Sequence, residues 1–111
     1  MAVPAVNITI EKGVDFENSF TISNPDGSAF NLSGYTAVAK IKKFPSSTIS
    51  KSFSVSITPA IGKILISMGS TITSELSEGR NYYDIVIIST GYGQKTRVIE
   101  GMALVSPTVS A

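Results

Sequence analysis

The sequence predicts an all-β fold, two antiparallel sheets packed face to face from about seven to eight strands. Three observations carry that expectation. Short runs alternate apolar and polar residues with period two, the mark of half-buried strands. Turn residues interrupt these runs at near-regular spacing, as in sandwiches and barrels. Serine and threonine are abundant while only 15% of residues are charged, which suits strands whose outer faces are polar but neutral.

The runs follow one another almost from end to end. Val6, Ile8 and Ile10 alternate with Asn7, Thr9 and Glu11 before Gly13 breaks the pattern. Phe16, Phe20 and Ile22 alternate with Glu17, Ser19, Thr21 and Ser23, and Asn24-Pro25-Asp26-Gly27 turns the chain. In that turn proline presets φ, aspartate bonds its own backbone and glycine accepts φ > 0. Tyr35, Ala37, Ala39 and Ile41 share one face of the next strand, with Lys40 and Lys42 on the other. Pro45-Ser46-Ser47-Thr48 reads as an exposed loop. Phe53, Val55 and Ile57 then alternate strictly with Ser52, Ser54, Ser56 and Thr58, the cleanest half-buried strand in the chain. After the turn Pro59–Gly62 the pattern resumes at Ile64, Ile66 and Met68.

Ser70–Glu78 is the one stretch with helical signals. Ser70 or Thr71 suits its start, Ile72 and Leu76 are four apart, and Gly79 suits its end. One or two turns fit there, crossing between sheets. Tyr82–Ser89, the turn Thr90-Gly91-Tyr92-Gly93 and Lys95–Val105 form a closing hairpin. With 111 residues and no internal repeat, one domain over 1–111 is expected.

Composition narrows function. There is no cysteine and no histidine, so disulfides and the usual transition-metal ligands are missing, and no cofactor is expected. Nine basic and eight acidic residues are scattered singly, unlike the basic stripe that neutralises phosphate, so no nucleic-acid partner is expected. No apolar run approaches a membrane span, and the first residues lack the basic and apolar regions of a secretory signal.

Catalytic signals are equally sparse. There is no Gly-x-Ser-x-Gly elbow and no Ser-x-x-Lys. The carboxylate neighbours Asp15/Glu17 and Glu75/Glu78 flank turns and read as solvated surface charge. Asp84, followed by Ile85-Val86-Ile87-Ile88, needs a partner, for which Arg97 and Arg80 are candidates in a structural salt bridge. Gly91-Tyr92-Gly93 is followed by no helix or Gly-Lys-Ser/Thr and reads as a hairpin turn. Most aromatics fall on inward positions, which leaves Tyr82 and Tyr92 for any sugar-binding platform.

The anomaly is the last hairpin. If Tyr83, Ile85 and Ile87 point inward, Val86 and Ile88 point outward; if Ile99, Gly101, Ala103 and Val105 point inward, Val98, Met102 and Leu104 point outward around Glu100. A solvated sheet face should alternate, and a monomer of this size seldom leaves such a patch in water. Val86, Ile88, Val98, Glu100, Met102 and Leu104 are therefore the candidate protein interface, unless Ser70–Glu78 folds over them. Glu100 in its midst would take Arg97 or Lys95 of a neighbouring chain.

Several segments together carry a family resemblance. They are Asn31-Leu32-Ser33-Gly34-Tyr35-Thr36 leading into Ala39-Lys40-Ile41-Lys42-Lys43, then Gly79-Arg80-Asn81-Tyr82-Tyr83-Asp84, Thr96-Arg97-Val98-Ile99-Glu100-Gly101 and Val105-Ser106-Pro107. The chain resembles, over nearly its whole length, small β-sandwich domains of tailed-phage virion proteins. These include the N-terminal domain of baseplate upper proteins and stand-alone structural proteins of marine myophages. The resemblance implies an immunoglobulin-like antiparallel β-sandwich, to which the residues themselves add one short helical crossing near 70–78. It also implies a non-enzymatic adaptor, made in the host cytoplasm and built into the virion, in tail or baseplate. Its partners would be other virion proteins or copies of itself. A capsid decoration protein and a carbohydrate-binding module or host-surface adhesin are the alternatives. An adaptor should expose an aliphatic patch, a sugar module a row of aromatics.

Overall fold

Period-two alternation becomes eight β-strands among the residues that the computed structural model describes, 5–24, 26–44 and 50–107. The strands are β1 (Ile8–Glu11), β2 (Phe16–Thr21), β3 (Tyr35–Lys42), β4 (Lys51–Ser52), β5 (Ser54–Thr58), β6 (Lys63–Met68), β7 (Gly79–Ser89) and β8 (Lys95–Ser106). They form a five-stranded sheet in the order β1-β8-β7-β3-β4 and a three-stranded sheet in the order β2-β6-β5. Neighbours are antiparallel except β1, which runs parallel to β8.

The core lies between the sheets. β6 brings Ile64, Ile66 and Met68, β7 brings Tyr83, Ile85 and Ile87, and Ile10, Leu32 and Val105 close around them. Removing each large aliphatic side chain from water contributes about 1.5–3 kcal/mol. Phe53 bridges the two aromatic ends of this core, with its ring centroid 5.8 Å from Phe16 and 6.5 Å from Tyr83.

The predicted Phe53–Ile57 run has the expected burial, with the serines exposed, but it is not one strand. Lys51–Ser52 pairs with β3 in the larger sheet, Ser54–Thr58 pairs with β6 in the smaller, and the chain changes sheets at Phe53. The Phe53 N–H donates to the Ala39 carbonyl at 2.9 Å, which pins the corner while its ring fills the core. Strands that switch sheets turn corners in this way.

The helical crossing takes the shorter of the one or two turns expected within Ser70–Glu78. α1 spans Ser70–Thr73, followed by turns. Neither Ser70 nor Thr71 caps it; Gly69 does, without a side chain, while the Ser70 N–H donates to Asp15 Oδ1 at 2.7 Å. Thr73, fully buried, accepts from the Gly13 N–H and shares its own proton between the Val14 and Ser70 carbonyls. Thus α1 is fastened to the β1–β2 turn. The predicted first turn holds as an Asp26-Ser28 unit: Asp26 Oδ1 accepts both the Ser28 hydroxyl and its N–H, which lowers the Asp26 pKa. Pro25 and the predicted Pro45–Thr48 loop lie outside the described residues.

The closing hairpin is β7–β8, and it contains a bulge. Ile85 pairs with Ile99, but Val86 pairs with Arg97, so Val98 has no partner opposite. Val98 and Ile99 both turn inward as a result, and Val98 is only 6% exposed. The extra residue of a bulge shifts side-chain parity on one side of it. The expectation that Val98 faces outward is corrected by this shift.

Candidate functional site

The outer face of the five-stranded sheet is built from the strand residues that alternate with the core. Across β8-β7-β3 the register sets five rows. Leu104 stands beside Arg80; Met102 beside Tyr82 and Lys42; Glu100 beside Asp84 and Lys40; Arg97 beside Val86 and Val38. Beyond them Lys95, Ile88 and Thr36 form the last row.

The face therefore has two apolar zones separated by a charged band. Val38, Val86 and Ile88 make one, with Val38 39% exposed. Tyr82, Met102 and Leu104 make the other, with Leu104 51% exposed. Of the six predicted interface residues, Val86, Ile88, Glu100, Met102 and Leu104 lie on this face and Val98 lies in the core. Val38 belongs to the patch although the hairpin alone did not include it; its alternation with Ala37 and Ala39 on β3 was the available signal. α1 does not cover the face, being tied to the turn at 12–14.

The bulge also decides the charges. Residues three apart on a regular strand point to opposite faces. With Val98 turned in, Arg97 and Glu100 share the outer face and pair at 3.3 Å within one chain. Glu100 thus finds its partner without a neighbouring molecule. Both side chains are about half exposed, so the pair contributes little stability. Asp84 receives neither Arg97 nor Arg80. It sits between Glu100 and Lys40 in register, and among the described residues no basic group comes within 4.0 Å of it. Two carboxylates directly opposite each other, Asp84 and Glu100, repel.

A feature that the sequence did not reveal anchors the chain entry to this face. Val6 and Gly101 stand side by side where β1 meets β8, and the Val6 N–H donates to the Glu100 carbonyl. In a regular parallel ladder the Val6 carbonyl would accept the Met102 N–H. Instead it accepts from the Tyr83 hydroxyl, and the Asn7 side chain takes the Met102 N–H at 3.2 Å. This arrangement requires Gly101: a Cβ there would lie 2.1 Å from the Val6 oxygen. Burial raises the Tyr83 phenol to about 12. Ala5 and Asn7 then border an open depression of about 530 Å³ whose floor is the charged band with Tyr82 and Met102.

Among the described residues, no three aspartates or glutamates converge as metal ligands, and no helix is long and apolar enough to cross a membrane. Comparison with known proteins finds no matching family model and no matching curated protein.

Proposed function

We propose that this chain is a non-enzymatic structural adaptor of a tailed-phage virion, of the tail or baseplate, which docks onto another virion protein through the outer face of its five-stranded sheet. The observation that carries the reading is the pair of apolar zones, Val38/Val86/Ile88 and Tyr82/Met102/Leu104, that no other described element covers on the outer face of the five-stranded sheet. The charged band between them supplies register: among the described residues Asp84 has no ion pair, and it is left to meet a basic group on the partner.

The immunoglobulin-like reading of the fold belongs to the same proposal. The orders β2-β6-β5 and β8-β7-β3-β4 correspond to the B-E-D and G-F-C-C′ arrangement of variable-type immunoglobulin domains. The sequence resemblance to phage baseplate and myophage structural domains supports the same fold and the virion location. An adaptor is favoured over a sugar-binding module by where the aromatics stand. Phe44 follows the far end of β3, whereas Tyr92, 92% exposed, tips the hairpin beside the start of β3, so the two most exposed rings lie at opposite ends of the sheet.

Locating the protein in purified particles, by cryo-EM or labelled antibody, tests this function. Density or label on the tail or baseplate is the expected result. Its absence from particles sinks the reading, and its presence only on the capsid shell replaces it with a decoration role.

A further inference from the structure

The four sheet edges are not guarded alike. β1 carries Glu11, β2 carries Glu17 and β4 carries Lys51, each a charge on an edge strand. β5, Ser54-Val55-Ser56-Ile57-Thr58, carries no charge, no proline and no bulge. Edge strands in soluble proteins are ordinarily blunted by one of these devices, because their free N–H and C=O groups recruit another strand. We propose that β5 is a strand-addition surface whose occupant is β5 of a second copy, paired antiparallel about a two-fold axis through Ser56.

The choice of a second copy rests on self-complementarity. About that axis Ser54 of one copy faces Thr58 of the other, Val55 faces Ile57, and Ser56 faces Ser56. Every pair matches like with like. The serines and threonines, exposed in the single chain, stay together on the solvent side. Val55 and Ile57, half-buried against the core, meet on the inner side. An antiparallel strand turns both polar groups of alternate residues toward the same neighbour. Whichever alternate set faces outward on β5, the axis at Ser56 brings that set opposite itself, so donors meet acceptors in either case. A closed two-fold contact also removes both edges at once, whereas addition to β2 would leave one open and bring Glu17 into the ladder. The product is a continuous six-stranded sheet, β2-β6-β5 joined to its copy, with the outer face of each five-stranded sheet left free.

This surface is separate from the adaptor face, and the experiment separates the two. Light scattering of the purified chain over a rising concentration series should show mass doubling to that of a dimer. Ser56→Lys places two ammonium groups opposite each other at the axis. It should halve that mass while leaving the circular dichroism and melting of the single chain unchanged. Met102→Lys with Val86→Glu, on the other sheet, should dimerise like the parent. Because the chain has no cysteine, Ser56→Cys provides a second arm: mild oxidation should cross-link it across the axis much faster than Ser19→Cys on β2. A parent that stays monomeric throughout, a Ser56→Lys variant that associates like the parent, or a Ser56→Cys variant that links no faster than Ser19→Cys overturns the proposal. Loss of association in the Met102/Val86 variant with retention in Ser56→Lys would assign self-association to the adaptor face instead.

Discussion

Tyr83→Phe removes one oxygen from the core and nothing else. The ring keeps its neighbours Phe20, at 6.4 Å, and Phe53, at 6.5 Å. What is lost is the hydroxyl that donates to the Val6 carbonyl. Among the described residues that carbonyl has no second donor, because the Met102 N–H is committed to Asn7. Leaving such a group unsatisfied costs about 1–3 kcal/mol. The effect should depend on pH. The phenol titrates near 10 in the unfolded chain and about 12 in the folded one. Between those values the unfolded chain has released a proton that the folded chain retains, so rising pH favours unfolding. The contribution is fully present below pH 10 and is lost as pH climbs toward 12. The quantity to follow is the stability difference between parent and variant, which isolates this phenol. Urea denaturation followed by far-ultraviolet circular dichroism at a series of pH values measures it. A variant as stable as the parent at pH 8, or a difference that stays constant up to pH 12, would refute the role given to this hydroxyl.

Gly101→Ala should cost at least about 1–3 kcal/mol, as forced overpacking does, and should loosen β1 first, read as faster amide exchange at Ile8 and Ile10 than in the parent. Thr73→Val keeps the shape of the buried side chain but strands the Gly13 N–H and Val14 carbonyl, so urea denaturation should show a loss of about 1–3 kcal/mol. Val98→Lys should fail to fold while Val86→Lys folds with parental circular dichroism, although the two residues belong to one hairpin and both read as outward in the sequence. Phe53→Ala should cost about 3–5 kcal/mol in reversible denaturation; a loss below about 1 kcal/mol would remove Phe53 from the core.

Where period two runs unbroken, sequence and structure agree. Phe53, Val55 and Ile57 turn inward while their serines stay exposed, and Tyr83, Ile85 and Ile87 define the inner face of β7. The pattern reports which way a side chain points, but not which sheet its strand joins. The change of sheet at Phe53 leaves the alternation intact and so left no trace in it. Val98 shows the opposite failure. A bulge changes parity without a glycine or proline to announce it, and Arg97-Val98-Ile99 reads as ordinary strand. The pairing of Arg97 with Glu100 in one chain follows from the same unannounced residue. The Val6–Tyr83–Gly101 contact and the Asp15–Ser70 bond join residues far apart in sequence, where local patterns carry no information. The outer patch was legible because its apolar residues violate the alternation expected of a solvated face. Its charged band was not, because that depends on register across three strands.

The proposed docking surface, against another virion protein, is the outer face of the five-stranded sheet. Its most direct test is incorporation of Met102→Lys with Val86→Glu into particles, scored by mass spectrometry or antibody on purified virions beside the parent, with circular dichroism of the isolated variant as the folding control. The structure leaves both side chains half-buried on the surface of a single chain, so the variant should fold. A folded variant missing from otherwise assembled particles, or particles that fail to assemble at all, is the predicted result. A folded variant incorporated at the parental level would contradict the account and move the docking surface away from this face.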